Sequence, residues 1–211
     1  CYDQAALMRR YDVITEICDA MLELGWGPYQ NDHEDANGQF EVNFTYADAL
    51  KTADNYVFFK MAASEVARAH GMVCTFMPKP FSNRTGTGAH FHLSIGSAKQ
   101  KNLFYDAKGE DSLSKRGWDM IDRILTSGQE LCLILNPSVN AYRRLDPHYE
   151  APNQIKASAI NRGAMVRIPW GNERSERIEV RSIAPDANPH MAIYALLRTG
   201  LEGPLPPEEE N

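Results

Sequence analysis

The sequence predicts an α+β fold: a mostly antiparallel sheet flanked by helices. Four stretches carry apolar side chains at helical spacing, and several short runs between them are alternating or largely apolar. Neither an internal repeat nor a βαβα rhythm is visible, so a parallel doubly wound sheet is the poorer description.

Taken in order, the first helix is expected over residues 4–24, with Leu7, Ile14, Ile17, Met21 and Leu24 on one face and Gly25 as its stop. The second spans 47–70, with Leu50, Ala53, Val57, Phe58, Met61 and Val66 as its buried stripe and Gly71 closing it. The third runs over 112–135 and ends where Asn136-Pro137 forbids continuation. The fourth starts at Asn188-Pro189, with proline in its first turn, and continues to Thr199. Strands are expected over 40–44, 71–77, 89–95 and 177–183. In the third of these His90, His92 and Ser94 share one face, and in the fourth Arg177, Glu179 and Arg181 do. One domain over 1–202 is expected, followed over 203–211 by a Pro- and Glu-rich segment of linker composition.

Composition narrows the function. The 211 residues are 43% hydrophobic and 24% charged, with a net charge of -6. That balance disfavours a nucleic-acid binder, which needs a basic surface. No stretch approaches the ~20 consecutive apolar residues of a membrane span. Cys1, Cys18, Cys74 and Cys132 are scattered and form no CxxC pair, as expected of reduced thiols in a cytoplasmic protein.

Three groups of residues bear chemistry. Glu34 and Glu41 flank Gly38, His90 and His92 share a strand face, and Glu179 lies between arginines. Carboxylates with imidazole suit Mg²⁺ or Mn²⁺, although a solvated Glu or a structural His-x-His is the commoner case. Arg162, Arg167, Arg174, Arg177 and Arg181 crowd one short span, either as an ion-pair ladder or as a polyanion site. The loop 79–88 is glycine-rich but lacks the Gly-Lys-Ser/Thr ending of a P-loop. By themselves these residues describe a globular α+β chain able to hold a divalent cation beside a phosphate.

Their order adds more. Asp32-His33-Glu34-Asp35-Ala36-Asn37-Gly38-Gln39-Phe40-Glu41 resembles the His-Glu…Gly-Gln…Glu metal segment of the glutamine synthetase family. Phe76-Met77-Pro78-Lys79-Pro80, followed by Gly86-Thr87-Gly88-Ala89-His90-Phe91-His92-Leu93-Ser94, resembles its ATP-site signature. Asn136-Pro137, Tyr142-Arg143-Arg144-Leu145 and Tyr149-Glu150-Ala151-Pro152 match its substrate loop. Asn161-Arg162, Arg167-Ile168-Pro169 and Arg177-Ile178-Glu179-Val180-Arg181 match its arginine-rich end. The segments occur in family order and cover nearly the whole chain.

The resemblance implies a catalytic domain of that family's type and an ATP-dependent ligase that forms glutamine through γ-glutamyl phosphate. It implies that Glu34 and Glu41 hold one metal, and that His90 and Glu179 hold the metal bridging the ATP phosphates. His92, Ser94, Arg167 and Arg177 would bind ATP, while Gly86 and Arg144 would bind glutamate. Glu150 would accept the amine's proton, Arg162 would steady the transferring phosphoryl group, and Arg181 would meet the γ-carboxylate end. Glutamate, ammonia or another small amine, and ATP are the expected partners, and homo-oligomeric rings the expected assembly.

Thr85-Gly86-Thr87-Gly88 departs from the commoner Asn-Gly-Ser-Gly, and Tyr29 stands where many members place a nucleotide-contacting acid. These departures suggest a divergent branch, whose members join methylamine, ethanolamine or polyamines to glutamate. A non-catalytic assembly protein is the alternative from another class. The family's Glu-x-Glu segment and small N-terminal β domain are not in these 211 residues, so the isolated chain is expected to be inactive.

Overall fold

A computed structural model describes residues 1–99 and 102–207. The chain divides into two compact units, Cys1–Thr87 and Gly88–Asn211. Of the expected Pro- and Glu-rich segment 203–211, residues 208–211 lie outside the described residues.

The first unit holds α1 (Gln4–Met8), α2 (Tyr11–Glu23), the strands β1 (Pro28–His33) and β2 (Phe40–Phe44), and α3 (Ala49–Ala69). The expected single helix over 4–24 is thus two, parted at Arg9-Arg10, with Asp3 capping the first through the backbone N–H groups of Ala5 and Ala6. Both glycine stops hold. Gly25 (φ +75°) follows α2, and Gly71 (φ +70°) follows α3. In each case the next N–H reaches back to close the last turn, Trp26 to Met21 and Met72 to Ala67. That pairing requires a left-handed residue, the conformation glycine adopts without a Cβ penalty.

α3 departs from its expected packing. Ala53, Ala63 and Ala67 are its buried residues, whereas Leu50, Val57, Phe58 and Met61 are exposed. Small side chains let the helix sit closely on α2, its main contact, so the alanine face turns inward and the bulky stripe outward. The expected strand over 71–77 does not form; the segment has no regular secondary structure and pairs with no strand. The unexpected β1 pairs antiparallel with β2 instead, with Asp32 opposite Glu41 and His33 opposite Phe40. Its polar sequence, Pro28-Tyr29-Gln30-Asn31-Asp32-His33, carries little strand signal by itself.

In the second unit, four strands form one mixed sheet of order β3-β6-β5-β4. They are β3 (Phe91–Leu93), β4 (Gln154–Ser158), β5 (Ala164–Arg167) and β6 (Ile178–Val180). Two pairs are antiparallel, and only β4 and β5 run parallel. The helices are α4 (Lys115–Thr126), α5 (Gly128–Leu135), α6 (Val139–Arg144) and α7 (Pro189–Glu202). The expected helix over 112–135 divides at Ser127, next to Gly128, whose Cα leaves no room for a Cβ against Ile155. α7 starts as expected, with the Asn188 side chain accepting from Met191 N–H and Pro189 in the first turn. It packs mainly on α4 and also on α5. Ile121, Ile124, Leu135, Val166, Ile178, Val180 and Leu196 are all essentially dry. This apolar layer supports a sheet whose other residues carry charge.

Candidate active site

The second unit gathers most of the expected residues through strand register. His92 lies opposite Glu179, and Glu179 lies opposite Arg167, so the three form one row across β3, β6 and β5. Residues directly opposite in antiparallel strands share a face. Two positions along β6 and its continuation, Arg181 shares the face of Glu179, as period two requires.

Glu179 is the centre of this row. It is 2% exposed and accepts from Arg181 Nη1 at 2.6 Å and from Arg167 Nε. His90 Nδ1 lies 3.2 Å from its Oε1. Burial alone would raise the carboxyl's pKa. The hydrogen bond and charge of His90, with Arg181 and His92, outweigh burial and hold it well below the usual carboxylate range. It is therefore an anion near neutral pH.

His90 moves the other way. Burial, reinforced by the charges of Arg181 and Arg144 and opposed by Glu179, pushes it down to about 4. His92 also falls to about 4, through desolvation first and then the charges of Arg177, Arg167 and Arg181, against the pull of Glu179. Arg177 Nε donates to His92 Nδ1 at 3.0 Å, which requires that nitrogen to be unprotonated. Two neutral imidazoles thus stand beside a fixed carboxylate. Neutral imidazole nitrogen and carboxylate oxygen are the donor types that suit Mg²⁺ or Mn²⁺. His90 and Glu179 fit such an ion as two protein ligands, since Mg²⁺ commonly completes its shell with water and phosphate oxygens. No group of three or more His, Cys, Asp or Glu gathers among the described residues.

Arg144, on the last turn of α6, is 3% exposed and donates from Nη2 to the Arg181 carbonyl at 2.9 Å. Gly88 presses against it. A Cβ there would stand 2.7 Å from Arg144 Nη2 and 2.8 Å from His90 Nε2. The glycine-rich composition of the loop did not show that Gly88 makes this approach. Arg181 is engaged on two sides, with Glu179 and with the Arg162 carbonyl at 3.2 Å. Ser94 is exposed and lies just beyond β3.

Glu150 and Arg162 form an ion pair at 3.0 Å, both substantially exposed. They line an open cleft of about 510 Å³ with Tyr149, Asn153, Ile160 and Asn161. The pair lies between two loops, after α6 and before β5.

The first unit carries the remaining residues. Glu34 follows β1 and its N–H donates to the Gln39 carbonyl at 2.9 Å. With Asp32 opposite Glu41, Glu34 and Glu41 become diagonal neighbours on the hairpin, a relationship usually spanning about 7–8 Å between Cα atoms. Gly38 (φ +78°) makes the turn between them. Glu41 Oε1 accepts from Asn43 Nδ2 at 2.9 Å. Gly86 sits in a stapled loop: Lys79 Nζ donates to the Arg84 carbonyl at 2.7 Å, and Thr87 N–H to the Pro78 carbonyl at 2.8 Å.

Comparison with known proteins identifies the family. Residues 1–206 match the family model "Glutamine synthetase, catalytic domain". The chain is 46% identical to a glutamine synthetase of Rhizobium meliloti (strain 1021), over 96% of the chain and 47% of that protein. It is 38% identical to a glutamate–methylamine ligase of Methyloversatilis universalis, over the whole chain and 50% of the relative. Among solved structures, a GmaS/ADP complex superposes with a TM-score of 0.88 at 48% identity, covering 96% of the chain and 47% of its own. Plasmodium falciparum glutamine synthetase superposes with a TM-score of 0.84 at 28% identity, covering 89% and 37%. The chain spans about half the length of the curated relatives it matches. It belongs to the glutamine synthetase family and carries sequence of that family's catalytic domain.

Proposed function

We propose that the full-length protein containing this sequence is an ATP-dependent ligase that joins an amine to the γ-carboxylate of glutamate, with ammonia as the acceptor. The observation that carries this reading is the Glu179 row: a buried carboxylate and two neutral histidines beside Arg167, Arg177 and Arg181. The 46% identity to a glutamine synthetase supports ammonia.

A free carboxylate is a poor acyl donor because its leaving group would be oxide. Transfer of the γ-phosphoryl of ATP makes γ-glutamyl phosphate, from which the amine displaces phosphate. Negative charge crowds around the transferring phosphoryl group, and fixed cations lower that cost. Bound Mg²⁺ or Mn²⁺ at His90 and Glu179 would supply Lewis-acid charge neutralisation there. Arg167 and Arg177 hold the ATP phosphates, while His92 and Ser94 contact the nucleotide. Arg162 faces the transferring group. Glu34 and Glu41 would hold a second cation and add to the charge neutralisation. Arg144 takes the α-carboxylate of glutamate, and the Gly86 backbone lies against the same substrate. Arg181 stands toward the γ-carboxylate end. Opening of the Glu150–Arg162 pair frees Glu150 to take the proton released by the attacking amine. The GmaS/ADP complex, with the same fold at 48% identity, supports a nucleotide in this domain.

Methylamine is the second acceptor to weigh, on the strength of the 38% identical glutamate–methylamine ligase. The active assembly is a homo-oligomeric ring.

The test is phosphate release from Mg-ATP and glutamate by the full-length protein, with ammonia, methylamine, ethanolamine or a polyamine. Fastest release with ammonia supports glutamine synthesis. Preference for methylamine moves the assignment to a γ-glutamylamide ligase with the same first step. No release with any amine from folded protein overturns the ligase reading and favours a non-catalytic assembly role.

A further inference from the structure

Within the first unit, Gln39 occupies an unusual position. Its backbone closes the turn after β1, accepting from Glu34 N–H at 2.9 Å and donating to the Ala36 carbonyl at 3.0 Å. Its side chain is engaged at both ends. Oε1 accepts from Ala36 N–H at 3.1 Å, and Nε2 donates to the Gly86 carbonyl at 2.9 Å. The second bond joins residues 47 apart in sequence, from the Glu34 turn to the glycine loop. Thr85 also donates to Asp35, so two adjacent links tie the same turn to the same loop.

We propose that Gln39 is a positioning residue for glutamate: its carboxamide sets the orientation of the Gly86 peptide group against which the substrate rests. The inference rests on the reading of Gly86 as a glutamate contact. A carbonyl oxygen has two lone pairs, so the Gln39 bond leaves acceptor capacity for a second donor such as the α-ammonium of glutamate. The carboxamide is well suited to hold that carbonyl still. Its own oxygen is fixed by Ala36 N–H, which settles which end of the amide faces Gly86. The same peptide unit is held from its other side by Thr87 N–H on the Pro78 carbonyl at 2.8 Å, so Gln39 and Pro78 together fix its plane. The same residue joins that peptide to the backbone of Glu34, an expected cation ligand. The Gly86 peptide and the Glu34 backbone are therefore connected through one residue.

The experiment uses the full-length protein with Gln39→Leu and Gln39→Glu, following phosphate release as glutamate and Mg-ATP are varied separately. Loss of one hydrogen bond to a substrate-holding group is expected to raise KM for glutamate about tenfold in Gln39→Leu. KM for Mg-ATP should stay within about twofold, because a substrate-specific effect leaves the other site's binding intact. Gln39→Glu keeps the shape and adds a pH signature. Its ionised carboxylate faces the Gly86 carbonyl without a proton, whereas its protonated form can donate. Glutamate affinity of Gln39→Glu should therefore recover relative to wild type as pH falls toward the carboxyl range, and Gln39→Leu should not recover.

An unchanged KM for glutamate in both variants overturns the inference, as does an equal rise for both substrates with no pH-dependent recovery. Wild-type protein that releases no phosphate with glutamate overturns the ligase reading itself. Wild-type turnover with variants of unaltered glutamate KM overturns the Gln39 role alone.

Discussion

At the scale of single residues, the site depends on what surrounds each charge. Glu179 would be a costly buried anion by itself, and it persists because Arg167, Arg181 and His90 all meet it. Burial first, and then the charges of Arg181 and Arg144, keep His90 unprotonated, so an anion and a neutral nitrogen stand side by side. Gly88 is the residue where space is shortest. Gly88→Ala puts a methyl within 3 Å of Arg144 and His90, and Arg144 is already held by the Arg181 carbonyl, so it cannot simply swing away. The expected outcome is a stability loss of about 1–3 kcal/mol, of the kind seen on over-packing. Displacing the two site residues should also lower kcat/KM by roughly 10- to 100-fold. Urea unfolding and phosphate release on the full-length protein read the two effects separately.

Between elements, the first unit is tied where α2 meets the end of α3. His70, the C-cap of α3, contacts Glu16 at 2.7 Å and Asp12 at 3.6 Å, both on α2. The Glu16 hydrogen bond, with the charges of Glu16 and Asp12, raises the His70 pKa against a smaller desolvation effect. A histidine whose folded pKa lies above its unfolded value stabilises fully below the unfolded value, near 6.5. That stabilisation disappears as pH rises through the folded value. Wild type should therefore lose stability relative to His70→Gln as pH rises from the unfolded value, near 6.5, through the higher folded value. Urea midpoints of the two proteins across that range check it; a constant difference would mean that the tether does not depend on the proton. The effect is expected to be small, because all three side chains touch water.

For the whole molecule, the reading of the site predicts linkage between substrate and folding. A ligand that binds only the native state adds about 2.7 kcal/mol at one hundred times its Kd. Mg-ATP should therefore raise the unfolding midpoint of the full-length protein, and ATP with a chelator should raise it less, because His90 and Glu179 would hold the cation that neutralises phosphate charge. Thermal unfolding with and without chelator measures the difference. Equal protection by ATP in both conditions would separate nucleotide binding from the Glu179 row. No helix among the described residues is long and apolar enough to cross a membrane, and all four cysteines are unpaired thiols.

Much of this was legible in the chain itself. Apolar spacing and glycine stops marked α2 and α3, Asn188-Pro189 marked the start of α7, and alternation marked β2, β3 and β6, because these signals are local. The charged motifs gave the identity of the residues on the Glu179 row, and period two alone put His90 with His92 and Arg177 with Glu179 and Arg181. What sequence could not decide was pairing. β1 is polar and exists by virtue of β2, while the apolar run over 71–77 lacks a partner and stays unpaired. Of the expected buried stripe of α3, Ala53 is buried but Leu50, Val57, Phe58 and Met61 are not, because hydrophobicity favours bulky residues whereas the helix buries its alanines. Nor could spacing show that His92, Glu179 and Arg167 form one row, that Gly88 touches Arg144, or that Gln39 holds Gly86. Period and residue type are written along the chain; register, clearance and the partner of each charge arise only when distant segments meet in three dimensions.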